Sequence, residues 1–139
     1  MEFVTDRTKS DVLLGTEKGQ YGATDLNRVE SAVAELCVLA KNLGVSKQLF
    51  VKTDWGMPGE FSAEQWPTKN QMERYLSNVW FLCETVELAA NLPVSMEKLN
   101  WDGANQIEEA LSQVYERIRK TIKMFRYSGE IFSGEENYL

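Results

Sequence analysis

Between residues 23 and 127 the apolar positions fall into three long runs with helical spacing. In the first, Leu26, Val29, Val33, Leu36, Cys37, Ala40 and Leu43 recur at steps of three and four, which draws one wide apolar stripe along a helix. Thr24 stands ahead of it as an N-cap, with Asp25 in the positive first turn. Gly44 closes it as a C′ glycine, and Val45 beyond is placed for the apolar contact that accompanies such caps. In the second run Met72, Tyr75, Leu76, Val79, Leu82, Cys83 and Val86 form the stripe, with Trp80 on its flank. Pro67 bars continuation backwards, and Thr68 with Gln71 reads as a capping box. The run extends towards "AANLP", where Pro93 forces Leu92 out of helical geometry. In the third, Ile107, Leu111, Val114, Ile118, Ile122 and Phe125 predict a helix over 102–125, with Glu116 and Lys120 as an outward i, i+4 pair. Three amphipathic helices with one long and one shorter connection predict an all-α fold, a three-long-helix bundle. Its core centres on Leu36, Leu76, Val79, Leu111 and Ile118.

The remaining segments lack this period. Residues 1–22 read as an N-terminal arm with one turn of helix after Ser10. Its Val12-Leu13-Leu14 patch has to bury against the body or a partner. Residues 45–67 make a crossover bearing Trp55 and Trp66, in which Leu49, Phe50 and Val51 form a short strand or an extended cover. Loops of this length are often functional, yet folding back over the bundle end is the reading that Trp55, Phe61 and Trp66 suit better. "SMEKL" offers one turn capped by Ser95. After residue 127 the chain repeats itself: "YSGEIFSGE" places aromatic, Ser, Gly and Glu twice in nine positions. We read 128–139 as a C-terminal tail, with the helix exit at Tyr127 and a hook through Glu130, Ile131 and Phe132. Tyr127 suits packing on its own bundle; Phe132 and Tyr138 suit a partner as well.

Charge and chemistry narrow the classes. The net charge is −6 and the pI about 4.8, so nucleic acid is not an expected partner. The cations Arg117, Arg119, Lys120, Lys123 and Arg126 read as the end of a helix, complementing its dipole, rather than as a phosphate site. No histidine is present, which removes the commonest general base and metal ligand. Cys37 and Cys83 lie in apolar stretches and read as small buried hydrophobes, bridged only if two helices face each other there. No signal-peptide core or membrane-length apolar stretch is present, so the chain is expected to be made and to fold in the cytosol, away from membranes. Carboxylate pairs for glycoside hydrolysis can be drawn from Asp54, Glu60, Glu64 and Asp102, but 21 acidic residues produce such pairs by chance. Glu84, Glu87, Glu108 and Glu109 fall off or beside the stripes, so no inward di-metal motif forms. No phosphate loop or paired-cysteine zinc motif is present. The expectation is a non-enzyme without metal or cofactor.

"GQYGATDLNRVESAV", "KTDWGM", "PTKNQMERYLSNV" and "YSGEIFSGE" together resemble a helical domain that recurs in bacteriophage and prophage tail proteins of Gram-positive bacteria. The likeness runs from about Phe3 to Glu135. It implies a place within or beside tail and baseplate components, with tail or virion proteins or further copies of itself as partners, made in the bacterial host and carried in the virion. It implies no catalysis and supplies no active-site residues. Two functional expectations follow. One is a structural module docking through Trp55, Trp66, Tyr127, Phe132 and Tyr138. The other is a carbohydrate-binding module for host adhesion, in which Trp55 and Trp66 stack on sugars beside Asp54 and Glu60.

Overall fold

The computed structural model describes residues 1–19, 21–56 and 67–131, with side chains for all of these except 17 and 125–131. The expected all-α bundle is present. Its helices are α1 (Lys9–Leu14), α2 (Ala23–Lys41), α3 (Lys69–Thr85) and α4 (Trp101–Ile131), with a 3-10 turn at Glu17–Gly19 after α1. Each of the three long helices packs on the other two. Their stripes meet in one core in which Val29, Leu36, Val79, Ile107, Leu111, Val114 and Ile118 are fully buried. Among the described residues no helix is long and apolar enough to cross a membrane.

The cross-contacts fix direction. Arg28 near the start of α2 meets Glu108 near the start of α4, and Glu30 of α2 meets Arg74 near the start of α3. At the other end, Arg117 of α4 donates to the carbonyls of Val86 and Glu87, just past α3. All three long helices therefore run parallel, which explains both long connections. A 17-residue α3 is about 25 Å long, and the chain must travel back that distance before the next helix starts. An extended residue covers only ~3.3 Å. Residues 86–100 are one return path, and 42–56 open the other. Phe50 marks the latter, its carbonyl accepting from Arg74 and Asn78 on α3; the 49–51 stretch is an extended cover, not a strand.

Helix ends separate from the sequence expectation in instructive ways. Gly44 does sit at φ +88°. Val45 N bonds to Ala40 O and Gly44 N to Lys41 O, the paired bonds of a Schellman cap. Thr68 and Gln71 form the expected capping box. Thr24, however, lies inside α2, whose N-cap is Gly22, with Asp25 Oδ2 accepting from the Gly22 amide. The arm's helix is capped by Thr8, not Ser10. α3 stops at Thr85, well before Pro93, because Glu87 adopts φ +55°. Leu88 N then bonds to Cys83 O and Glu87 N to Glu84 O, a second Schellman cap with glutamate where glycine is usual.

The largest correction concerns α4. The helix does not leave at Tyr127. It continues through 128–131, so that stretch is neither tail nor hook, and its last turn holds no basic residue. The cations from Arg117 onward therefore stand along the helix rather than at its end. The Glu116–Lys120 pair is not formed; Glu116 instead meets Arg119 at 3.4 Å. Matching Arg28 with Glu108 sets the end of α2 level with about residue 121, so roughly ten residues of α4 project about 15 Å past the bundle.

Candidate functional site: an internal ion cluster and an exposed groove

Four charged groups meet inside the bundle. Glu108 is on α4 in register with the core stripe and is completely buried, not beside the stripe as its charge suggests. Arg7 reaches in from the arm and is 3% exposed. Its Nη2 donates to Glu108 Oε2 at 2.6 Å and to Asp25 Oδ1 at 3.0 Å. From α2, Arg28 Nε donates to Glu108 Oε1 at 2.7 Å, and its Nη2 to Asp25 Oδ1 at 2.6 Å. The amide of Val4 donates to Glu108 Oε1, and Asn105 bonds the backbone of Arg7 in both directions. Two guanidiniums thus balance two carboxylates, the condition under which buried charge is tolerated.

Two phenols border this cluster. Tyr21 and Tyr75 share a short hydrogen bond, and the Arg7 guanidinium lies 5.4 Å from the centre of the Tyr21 ring. Arg7 Nε, buried and without a hydrogen-bond partner among the described residues, belongs to this ring-facing guanidinium. Burial raises the Tyr21 phenol well above its ordinary value. The Glu108 and Asp25 charges add to that, while the Tyr75 bond and Arg7 pull the other way. Hydrogen bonding to Glu108 holds Arg28 firmly protonated.

A second buried carboxylate anchors the crossover. Glu30 is 1% exposed; its Oε2 accepts from Trp55 Nε1 at 2.6 Å and from Arg74 Nη2 at 3.0 Å. Asn27 brackets the Trp55 backbone, accepting from its amide and donating to its carbonyl. Gly56 follows at φ +67°, where a Cβ would come within 2.6 Å of Ala23 Cβ. Trp55 is consequently 4% exposed. It is a core residue, as the fold-back reading of the crossover expects and the docking and sugar-stacking readings do not, and it offers no indole face to a sugar.

Among the described residues the other expected positions do not assemble into a site. Trp66, Phe132, Tyr138, Glu60, Glu64 and Phe61 lie outside the described residues. Tyr127 is within α4, with its side chain outside them. Asp54 is exposed and paired with Lys52 at 2.9 Å, which lowers its carboxyl. Asp102 is on the exposed first turn of α4. Cys37 and Cys83 are both buried and unbridged. Among the described residues no three His, Cys, Asp or Glu side chains gather as a metal site.

What the fold does present is apolar surface. The arm's patch does not bury against the body: Val12, Leu13 and Leu14 are 47%, 76% and 78% exposed. Beside the first turns of α3 runs an open groove of about 530 Å³, with Met72, Leu76, Trp80, Val94 and Met96 among its walls and Glu73 and Glu97 at its edge. Sequence reasoning set Trp80 on the flank of its helix but missed the groove, because the opposite wall comes from the 86–100 return path. No family model, curated protein or solved structure matches this chain.

Proposed function

We propose that this chain is a non-catalytic structural module of a phage or prophage tail that acts by docking to other proteins. The observation that carries the reading is how polar and apolar groups are distributed. The buried carboxylates Glu30 and Glu108 are closed off by Arg74, Arg7 and Arg28, so their chemistry fastens the arm and the crossover to the bundle. Large apolar side chains stand exposed at Leu13, Leu14, Val94 and Met124 instead, and α4 projects beyond the body. Exposed apolar groups on a rigid body suit a protein interface. The sequence resemblance supplies the setting: synthesis in the cytoplasm of the bacterial host and a final place in the virion.

The test is to induce the prophage, purify the particles and quantify peptides of this chain by mass spectrometry. The reading expects it at a fixed ratio to the tail proteins. A chain left entirely in the cell lysate, absent from tails and from tail assembly intermediates, refutes it.

A further inference from the structure

We propose that the cleft between α2 and α4 is a peptide site which the N-terminal arm of a second copy enters, so that two copies exchange arms. This rests on the docking reading and names the partner. The site grips the arm by its backbone. Asn105 takes both main-chain groups of Arg7, its Oδ1 accepting from the amide at 3.1 Å and its Nδ2 donating to the carbonyl at 2.9 Å. Glu108 Oε1 accepts from the Val4 amide. One side chain is read as well: the Arg7 guanidinium enters between Asp25 and Glu108. Phe3 adds an apolar contact with the core. A backbone held by an amide and an arginine held by two acids suit a peptide ligand, and residues 3–7 of this chain are the peptide that fits.

The segment that follows the arm points to a second copy as the source of that peptide. Residues 8–19 fold onto themselves. Thr16 bonds to Asp11, and a Cβ on Gly19 would meet the Asp11 carbonyl oxygen at 2.4 Å. No residue of α1 is buried. Val12, Leu13 and Leu14 therefore stand in solvent, three apolar side chains in a row, although the arm just before them is docked. A run of this kind on a surface is a liability unless something covers it. Docking the arm in its own cleft leaves it uncovered.

Exchange covers it at little cost. Arg7 and Asp25 are 18 positions apart yet meet at 3.0 Å, so the segment between them is a loop that begins and ends at the cleft. The exposed Asp6–Lys18 pair that helps close it is of a kind that contributes little. Opened out, residues 8–19 reach about 40 Å, enough to cross to a neighbour. Each cleft then holds an arm identical to the one it lost, and every contact of Val4 and Arg7 is made again. Such an exchange is reciprocal and its interface isologous. The two joining segments pass each other at the two-fold axis, where Val12, Leu13 and Leu14 of one copy cover those of the other. That covered patch is the net gain of the dimer over two closed monomers.

The experiment is sedimentation velocity and light scattering on the full chain over a concentration series. A monomer–dimer equilibrium is expected, slow to relax because each arm must first leave its cleft. Leu13→Asp, at an exposed position of α1, raises the dissociation constant by about tenfold or more and leaves the circular dichroism of the monomer unchanged. Exchange itself is read by isotope-filtered NMR on the dimer equilibrated from equal parts of labelled and unlabelled chain. Cross-peaks between Val4 or Arg7 of one chain and Asn105 of the other are expected. A dimer in which these contacts stay within one chain overturns the proposal, as does a chain that is monomeric throughout or association that Leu13→Asp leaves unmoved. A monomeric chain found in purified tails overturns arm exchange and leaves the docking function standing; one that is monomeric and absent from tails overturns both.

Discussion

Replacing Arg7 with methionine removes one guanidinium from a largely buried ion cluster and keeps most of the side-chain volume. Glu108 Oε2 then loses its 2.6 Å partner, Asp25 Oδ1 its 3.0 Å partner and Asn105 Oδ1 the Nη1 donor. Arg28 remains, one cation against two carboxylates. Breaking a buried pair from one side costs about 3–5 kcal/mol, because a charge is left without compensation. At this chain length each kcal/mol lowers Tm by about 3–5 °C, so a drop of about 9–25 °C is expected by calorimetry or circular dichroism. The arm can also lift and let water reach Glu108, which caps the loss at whatever the arm contributes. Hydrogen exchange separates the two responses. The Val4 and Arg7 amides donate to Glu108 and Asn105, so lifting abolishes their protection while the core amides of α4 keep theirs. Glu108→Gln in the Arg7→Met background should recover part of the loss, since removing the orphaned charge is coupled to removing its partner. A Tm shift below about 2 °C with Val4 still protected would refute the claim that Arg7 holds the arm.

Three further outcomes are expected. Glu87→Gly should stabilise the protein by about 0.5–1 kcal/mol, because φ +55° strains an L-residue by ~1–2 kcal/mol and the glycine returns part of that as chain entropy; a lower Tm would show that the Glu87 side chain stabilises the turn. Leu111→Ala, at a position with no exposure, should cost about 2–5 kcal/mol, and an unmoved denaturation midpoint would remove α4 from the core. Burial raises the Cys83 thiol from 9.0 to about 11 and lifts the Tyr21 and Tyr75 phenols. The folded state thus holds these protons more tightly. Its advantage is complete below about pH 8.5 and declines as pH climbs towards 11. A Tm that stays flat from pH 8 to pH 11 would contradict it, and Cys83→Ala should shallow the decline.

The helical stripes were legible because burial imposes their period. Leu36, Leu76, Val79, Leu111 and Ile118 all lie in the core as expected. Gly44 and Thr68 were legible because their caps depend on one residue's own chemistry. Glu87 was not, since nothing in a glutamate announces positive φ. Glu108 was misread, and Glu30 passed over, for a related reason. An acid within a stripe normally turns outward, and only partners distant in sequence reverse that; Arg7 and Glu108 stand 101 positions apart. Helix direction is equally hidden. A stripe reads the same for parallel and antiparallel packing, and only the lengths of the two connections carried a trace of the answer.

The end of α4 is where one missed boundary changes how the basic run is read. Ser128, Gly129 and Glu130 look like a stop signal, and glycine in a helix interior does cost about 1 kcal/mol relative to alanine. That penalty falls on a helix of 31 residues whose earlier turns are anchored in the core at Leu111, Val114 and Ile118. Propagating an existing helix fixes one residue per added bond, whereas starting a new one fixes several for the first. The continuation therefore survives a weak residue that would prevent nucleation. Once the helix runs on, the cations before that point no longer neutralise a terminus. Arg117 instead donates to the carbonyls of Val86 and Glu87 at the end of α3, and Arg119 pairs with Glu116 and lies over the Tyr115 ring.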